Sequence, residues 1–332
     1  MSWGKGAQAG GVLAVQRLAE RQDGLITAAQ CRELSLSAAA VRRFLRQGVW
    51  RTLSRGVYLV DADMRGAVDS AKALVRAAVL SAGPNAVAVL ESAAAVHGLH
   101  GLRPQTQLHV SLPGKLAVPR RVGAGTVVPH QLTLASEDVT VVDGIAVTTA
   151  LRTVADLLLK VDRMAAVSVL DSALHLGLIG EDELAELPRL LRGRRGATVA
   201  RGWIEQADGR AESPLETRAR LRCVDAGLPP DDLQATILDG TGRAVGRVDL
   251  LWRAARLIGE ADGGELHDRP DAVFRDRQRQ NDLINAGYRI VRFTWSDTLD
   301  PHTIPRTVRR VLAMTGQVDQ EAVDMKHRRP VP

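Results

Sequence analysis

The strongest constraint on the fold is the patterned run LQATILDGTGRAVGRVDLLW, residues 233–252, interrupted once, at Asp239-Gly240-Thr241-Gly242. Two extended segments around an Asp-Gly-containing turn form a hairpin, because glycine supplies the backbone conformations that the turn needs. The flanking segments extend this unit. Before it, SPLETRARLRCVDAG reads as an amphipathic helix capped by Ser213, with Pro214 in its first turn and Gly227 as its stop. After it, RLIGEADGG reads as a further strand ending in acids and glycines. AVFRDRQRQNDLINAGY follows as a charged helix ended by Gly287, and RIVRFTW as a last strand. Residues 209–312 are therefore expected to form an α/β domain, and 316–332, ending in KHRRPVP, a flexible tail.

Carboxylates recur in this domain at suggestive places. Asp249 lies on the second hairpin strand and Glu260 at the end of the next strand, so adjacent strands would bring the two acids to one place on the sheet. Glu260 and Asp262 are two apart, and residues two apart on a strand share a face. Three acids gathered there repel one another unless a cation or a proton compensates. A hard divalent cation, Mg²⁺ or Mn²⁺, suits oxygen ligands and can hold a water that attacks phosphorus. Asp249, Glu260 and Asp262 are the candidate metal ligands on this pattern.

The chain ahead of this domain has two parts. Residues 1–10 are expected to be a polar lead-in. Residues 11–62 read as three helices and a hairpin. One helix spans Val12 to Arg21, a short one is capped by Thr27, and a third runs from its cap at Ser37 to Gln47, stopped by Gly48. VWRTLSRGVYLV then forms two strands around Ser54-Arg55-Gly56. That order is the order of a winged helix, whose later helix enters the major groove. Arg42, Arg43 and Arg46 point outward from that helix, Arg51 and Arg55 sit on the wing, and Val41, Leu45 and Trp50 anchor the core below. Arginines so placed match the positions of DNA phosphates; a solvated face used for protein contacts is the plain alternative. Residues 65–200 read as mixed α/β, with helices near 67–82, 91–102, 149–159, 163–176 and 182–191, and strands in TQLHVSL, TVVPH and VDGIAV. The basic RGRR stretch, Arg192 to Arg195, forms a junction before a helix at 197–207.

Composition narrows the function classes. The net charge is +6 and mostly arginine, which suits bidentate contact with phosphate but is also what an Arg- and Ala-rich genome produces. Aromatic residues are 3% against 45% apolar, so the cores must be built from Leu, Val and Ala. Cys31 and Cys223 have no metal-type spacing and fit core positions in a reducing compartment. No run is long enough to span a membrane, and no apolar leader precedes a cleavage site, so a cytoplasmic location is expected. His97 and His100 fit helix-end positions rather than a metal pair, and Arg152 and Asp156 a local helix ion pair. There is no G-x-x-x-x-G-K-[ST] phosphate loop.

Two resemblances rest on these residues. TAAQCRELSLSAAAVRRFLRQGVWRTLSRGVYLV resembles the N-terminal domain of AbiEi-type antitoxins from type IV toxin–antitoxin systems. ESAAAVHGLHGL, VDGIAVTTALRTVADLLL and VLDSALHLGLI resemble the segment that follows it in actinobacterial members. This likeness covers roughly residues 11–190 and implies DNA binding with autoregulation, with a cognate toxin as the protein partner to look for. Residues 212–312 resemble the PD-(D/E)XK nuclease superfamily, and more closely a branch similar to very-short-patch-repair endonucleases, implying an α/β/α domain. The likeness carries a catalytic role to Glu216 in SPLE, Asp249 in GRVDLLW, Glu260 and Asp262 in EADG, and His267. It carries phosphate contact to Arg275 and Arg279 in the helix RDRQRQNDLINAG. The superfamily's lysine is absent, Asp262 standing in its place, and His267 lies one residue further from Glu260 than in the common pattern. A structural ion pair is the alternative for Glu216, an exposed loop residue for His267, and a solvated helix face for Arg275 and Arg279. Two functions stay open: a Mg²⁺-dependent DNA endonuclease targeted by its own winged helix, and an antitoxin-like repressor with an inactive nuclease fold.

Overall fold

The structure is a computed structural model that describes residues 3–60, 70–104, 106–114, 121–263 and 270–314, with the backbone alone for 3–9 and 270–276. It divides into two compact units. One comprises Met1–Val161 and Leu178–Arg201, the other Asp162–Gly177 and Gly202–Pro332.

The first unit opens with α1 (Trp3–Glu20), β1 (Leu25–Thr27), α2 (Ala28–Glu33), α3 (Ala38–Arg46), β2 (Trp50–Ser54) and β3 (Val57–Val60). The strands form one antiparallel sheet in the order β1-β3-β2. α1 starts at Trp3, so the expected lead-in is helical for most of its length. Ala7, Gln8 and Ala9 favour helix, and the glycines among them lower its propensity without forbidding it. Gly11 has a positive reason to be there: a Cβ would sit 2.9 Å from the Leu34 carbonyl oxygen. β1 is too short, at three residues, to show a period in the sequence. Local chemistry sets both short helices. The Thr27 hydroxyl accepts from the Gln30 N–H at 3.1 Å while the Gln30 side chain accepts from the Thr27 N–H at 2.9 Å, a reciprocal capping box. The Ser37 hydroxyl accepts from the Ala40 N–H at 3.2 Å. Val15, Ile26, Cys31, Leu36, Val41 and Trp50 form the core beneath. Trp50 stacks on Phe44, with centroids 5.2 Å apart, and tilts against Tyr58 at 6.1 Å.

The unit continues with α4 (Ala71–Ala82), β4 (Val87–Ala88), α5 (Leu90–His97), β5 (Gln107–Ser111), β6 (Arg121–Val122), β7 (Gly125–His130), β8 (Val139–Val142), β9 (Ile145–Thr148) and α6 (Ala150–Leu157). The chain then makes α7 (Arg163–His175), which belongs to the second unit, and returns as α8 (Glu181–Leu190), followed by α9 (Ala197–Ile204). The six strands form a mixed sheet in the order β6-β7-β5-β4-β9-β8. Leu25, Leu53 and Leu59 of the first three strands share one core with Val75, Ala78, Val110 and Val147. An ion pair fastens the same contact: the buried Arg76 donates through Nε to the half-buried Asp23 at 2.6 Å. Arg152 and Asp156 pair at 3.0 Å as their spacing implies. Arg152 also reaches Asp138 at 2.6 Å, and Asp156 takes Arg194 of the basic junction at 2.6 Å. His97 closes α5 with its Nε2 2.7 Å from the Thr148 carbonyl oxygen.

The second unit holds α7, then α10 (Pro214–Asp225), β10 (Asp232–Leu238), β11 (Ala244–Trp252), β12 (Leu257–Ala261), α11 (Pro270–Asn285), β13 (Arg289–Phe293) and a helical stretch at 303–314. The sheet order is β10-β11-β12-β13; the first two pairings are antiparallel and the last, reached through α11, is parallel. One apolar cluster joins Leu233, Leu250, Trp252 and Phe293 to Cys223 of α10 and to Ile304 and Val308. Another joins Ala235, Ile237, Val248 and Ile258 to Leu283 of α11. Residues 162–177, expected in the middle region, pack here. Asp171 of α7 is buried and accepts from Thr217 Oγ1 at 2.8 Å, Arg220 at 2.8 Å and the Asp208 N–H at 2.7 Å. Burial pushes its carboxyl up to about 6 against the pull of Arg220. Both cysteines are buried; burial pushes Cys31 up to about 11 and Cys223 to about 12. Among the described residues no helix is long and apolar enough to cross a membrane.

Candidate nucleic-acid interface and acidic centre

The amphipathic split of α3 is decided by four positions. Ala40 and Val41 are buried, Phe44 and Leu45 are half-buried, and Ala39, Arg42, Arg43 and Arg46 are exposed. Spacings of three and four put Ala39, Arg42, Arg43 and Arg46 on one helix face. Arg51 and Arg55 are exposed on β2 and at the tip of the β2–β3 wing. Among the described residues none of these five arginines pairs with a carboxylate, although ion pairs are common elsewhere in the molecule. The guanidinium of Arg43 lies 5.3 Å from the ring centroid of Phe44. Five guanidinium groups held in water on a rigid helix and its wing are free to exchange water for phosphate oxygens.

The acids of the second unit are arranged differently from the expected trio. β11 and β12 are adjacent, with Leu250 opposite Gly259, so Asp249 and Glu260 do come to one end of the same strand pair. Each is then engaged by its own donors. Glu260, 8% exposed, accepts from Arg279 at 2.7 Å through one oxygen and from Arg292 at 3.2 Å through the other. Asp249 accepts the Ala261 N–H at 2.7 Å through Oδ2 and Gln234 Nε2 at 3.2 Å through Oδ1. Gln234 Nε2 also donates to Glu216 at 2.8 Å, and Glu216 accepts from Ser213 Oγ at 2.7 Å and from the Glu212 N–H at 2.9 Å. Burial, with the Glu216 charge adding to it, raises the Asp249 carboxyl above the usual range. The cluster that forms is thus Glu216–Gln234–Asp249. The expected grouping of Asp249, Glu260 and Asp262 as metal ligands is not present: among the described residues no three His, Cys, Asp or Glu side chains are placed to hold one ion. Asp262 follows the end of β12 with an exposed side chain, its N–H donating to the Phe293 carbonyl at 2.8 Å.

Gln234 is the residue that the sequence hides. Strict alternation would put Leu233 and Ala235 on one face, yet they belong to the two different clusters. The change occurs at Gln234, whose φ is +52°, a left-handed conformation that costs a non-glycine residue energy. It turns the amide of Gln234 between two carboxylates. Arg279, expected to contact phosphate, is committed inside the domain, donating to Glu260 and to the Arg247 carbonyl at 2.8 Å. Arg292, which binds the other oxygen of Glu260, shows nothing in the sequence beyond a place on a strand. His267 lies outside the described residues, and so does the side chain of Arg275.

Comparison with known proteins places the winged-helix region and the stretch that follows it. The family described as AbiEi antitoxin transcriptional regulator matches residues 14–60, the winged-helix region. The family described as AbiEi antitoxin C-terminal domain matches residues 86–206. Two Mycobacterium tuberculosis proteins, the uncharacterized proteins MT2308 and Rv2248, are each 34% identical over 217 residues, covering 63% of this chain and 74% of theirs. A solved structure, the RV2827C protein from Mycobacterium tuberculosis, aligns at 14% identity over 68% of this chain and 86% of its own, with a TM-score of 0.34, below the level of a shared fold. With AbiEi domains matching in series over about half its length, and with close relatives covered for most of their length, the chain belongs to the AbiEi antitoxin family.

Proposed function

We propose that the protein is a DNA-binding transcriptional regulator of the antitoxin type, which grips duplex DNA through α3 and the β2–β3 wing. The observation that carries this is the set of five exposed arginines, Arg42, Arg43, Arg46, Arg51 and Arg55, on the helix and wing of a fold whose N-terminal family is one of transcriptional regulators. Phosphate contacts position such a protein, and the guanidinium groups supply them without defining a base sequence. The family supports a cognate toxin as protein partner. The test is a fluorescence-anisotropy titration of duplexes from the region upstream of the chain's own coding sequence, against unrelated duplex. Tighter binding to the upstream duplex supports the regulator reading; equal binding to both removes autoregulation, and no binding to either removes the DNA reading.

A second reading, hydrolysis of DNA by the second unit, is favoured by one observation. The element order α10-β10-β11-β12-α11-β13 brings Glu216, Asp249 and Glu260 toward one end of the sheet. The donor set argues against a resident Mg²⁺ or Mn²⁺ in this arrangement. Both oxygens of Glu260 accept from arginines, and both oxygens of Asp249 are also taken. Incubation of supercoiled plasmid with Mg²⁺ or Mn²⁺, beside an Asp249→Asn/Glu260→Gln variant, separates the readings. Nicking lost in the variant would establish hydrolysis, and intact plasmid throughout is the result expected of a regulator.

A further inference from the structure

A cavity of about 160 Å³ opens in the first unit between α4, α5 and the start of β5. Its walls are apolar, among them Leu74, Val75, Leu99 and Leu102, with Glu91 lining it and Arg103 at its exposed mouth. Glu91 is the unusual member. Its Oε2 is fully shielded and accepts no hydrogen bond. The nearest cation-capable atom, His109 Nε2, is 3.4 Å away, outside hydrogen-bond geometry. His109 is already committed through Nδ1 to His130 Nε2 at 2.9 Å, and its N–H donates to Ser92 Oγ at 2.7 Å. Burial lowers both imidazoles below their ordinary range, with the Glu91 carboxylate pulling His109 the other way. A buried acceptor left without a donor costs free energy and calls for an explanation. Leu90, buried and immediately before Glu91, has φ +54°, a strained conformation for a branched residue that sets the first turn of α5.

We propose that this cavity is a binding site for a small organic cation: an amidinium or ammonium head that donates to the Glu91 carboxylate, carried on an apolar body no larger than one ring. The volume matches a single-ring guest, since apolar cavities of about 150 Å³ accept benzene. The terminal torsion of a glutamate is broad, so a small rotation presents the shielded oxygen to a guest in the cavity. An amidinium offers two parallel N–H donors and can engage both carboxylate oxygens at once. The site is tied to the winged helix through its α4 wall. Val75 shares a core with Leu25 and Leu53, and the next residue, Arg76, pairs with Asp23.

The test uses the full chain with benzamidine as the cation and benzamide as its neutral isostere, followed by calorimetry and thermal melts. Benzamidine should bind saturably and raise the melting temperature, and benzamide should bind at least about tenfold more weakly. Glu91→Gln should weaken benzamidine by at least about tenfold while leaving benzamide unchanged. Ala95→Leu keeps the carboxylate and fills the cavity from α5, and should abolish binding of both. Circular dichroism melts establish that each variant is folded; should Glu91→Gln fail to fold, the Ala95→Leu arm and the isostere pair still decide. Equal affinity for the two ligands, binding undiminished in Ala95→Leu, or no saturable binding into the millimolar range would overturn the proposal.

Discussion

Replacing Arg220 with methionine isolates the energetics of the buried pair that joins α7 to α10. In the native structure Asp171 is 1% exposed at its side chain and Arg220 10%, and the two meet at 2.8 Å. With Arg220 gone, Asp171 keeps only Thr217 and the Asp208 N–H as donors. Breaking one side of a buried pair costs about 3–5 kcal/mol, because the other charge is left without compensation. The sign with pH follows from Asp171 itself. Its folded pKa, about 6, lies above the ordinary 3.8. The folded state therefore holds the proton more tightly than the unfolded state, and stability falls as pH rises through that window. In the wild type this group lowers stability by about 3 kcal/mol at pH 8 and by about half of that at pH 5. Loss of Arg220 removes the one cation that holds the carboxyl down, so its pKa rises further and the variant's deficit becomes pH-dependent. Urea unfolding followed by tryptophan fluorescence at the two pH values reads this directly. The Arg220→Met deficit should be about 3–5 kcal/mol at pH 8 and fall by at least about 1 kcal/mol at pH 5. An equal deficit at both would refute the reasoning, since it would mean that Asp171 stays in one protonation state across the window.

Trp50→Ala should cost about 3–5 kcal/mol in urea unfolding, since the ring is 5% exposed and stacked on Phe44; a loss below about 1 kcal/mol would mean that the site collapses around the cavity. Gln234→Ala removes the amide shared by Glu216 and Asp249 and should destabilise by about 2 kcal/mol in urea unfolding; an unchanged midpoint would mean that the two carboxylates are satisfied without it. Gln234→Gly should lose about 1 kcal/mol less than Gln234→Ala, because glycine accepts φ +52° without strain; identical losses would show that the conformation relaxes in the variants.

Features carried by local chemistry were legible in the sequence. Thr27 and Ser37 cap the helices they announce, Ser213 and Pro214 start α10, and the Asp239–Gly242 turn joins β10 to β11. Arg42, Arg43 and Arg46 are exposed because apolar residues three and four apart fix which face of α3 is buried. What failed to show depends on contacts between distant segments. The three-residue β1 exists only by pairing with β3. The grouping of α7 with α10 rests on Asp171 meeting Thr217 and Arg220, some fifty residues on. The environment of the acids in the second unit depends on the same kind of contact. The spacing of Asp249, Glu260 and Asp262 describes where strands place acids, but Arg279, Arg292 and the turned amide of Gln234 decide how those acids are satisfied. Periodicity carries no sign of a residue that departs from it, and Gln234 departs from it through its φ.

The salt dependence of DNA binding tests the central claim most directly. The wild-type chain and an Arg42→Ala/Arg43→Ala/Arg46→Ala variant are titrated against the same duplex at a series of salt concentrations. Each phosphate contact contributes about 0.9 to the slope of log affinity against log salt, so three lost contacts should flatten it by about 2.7. The three side chains are exposed and unpaired among the described residues, so the variant should unfold at nearly the same urea concentration as the wild type. A slope that flattens to that extent in a folded variant is the expected result. A folded variant that keeps both the affinity and the slope of the wild type would place the DNA contact elsewhere and contradict the account.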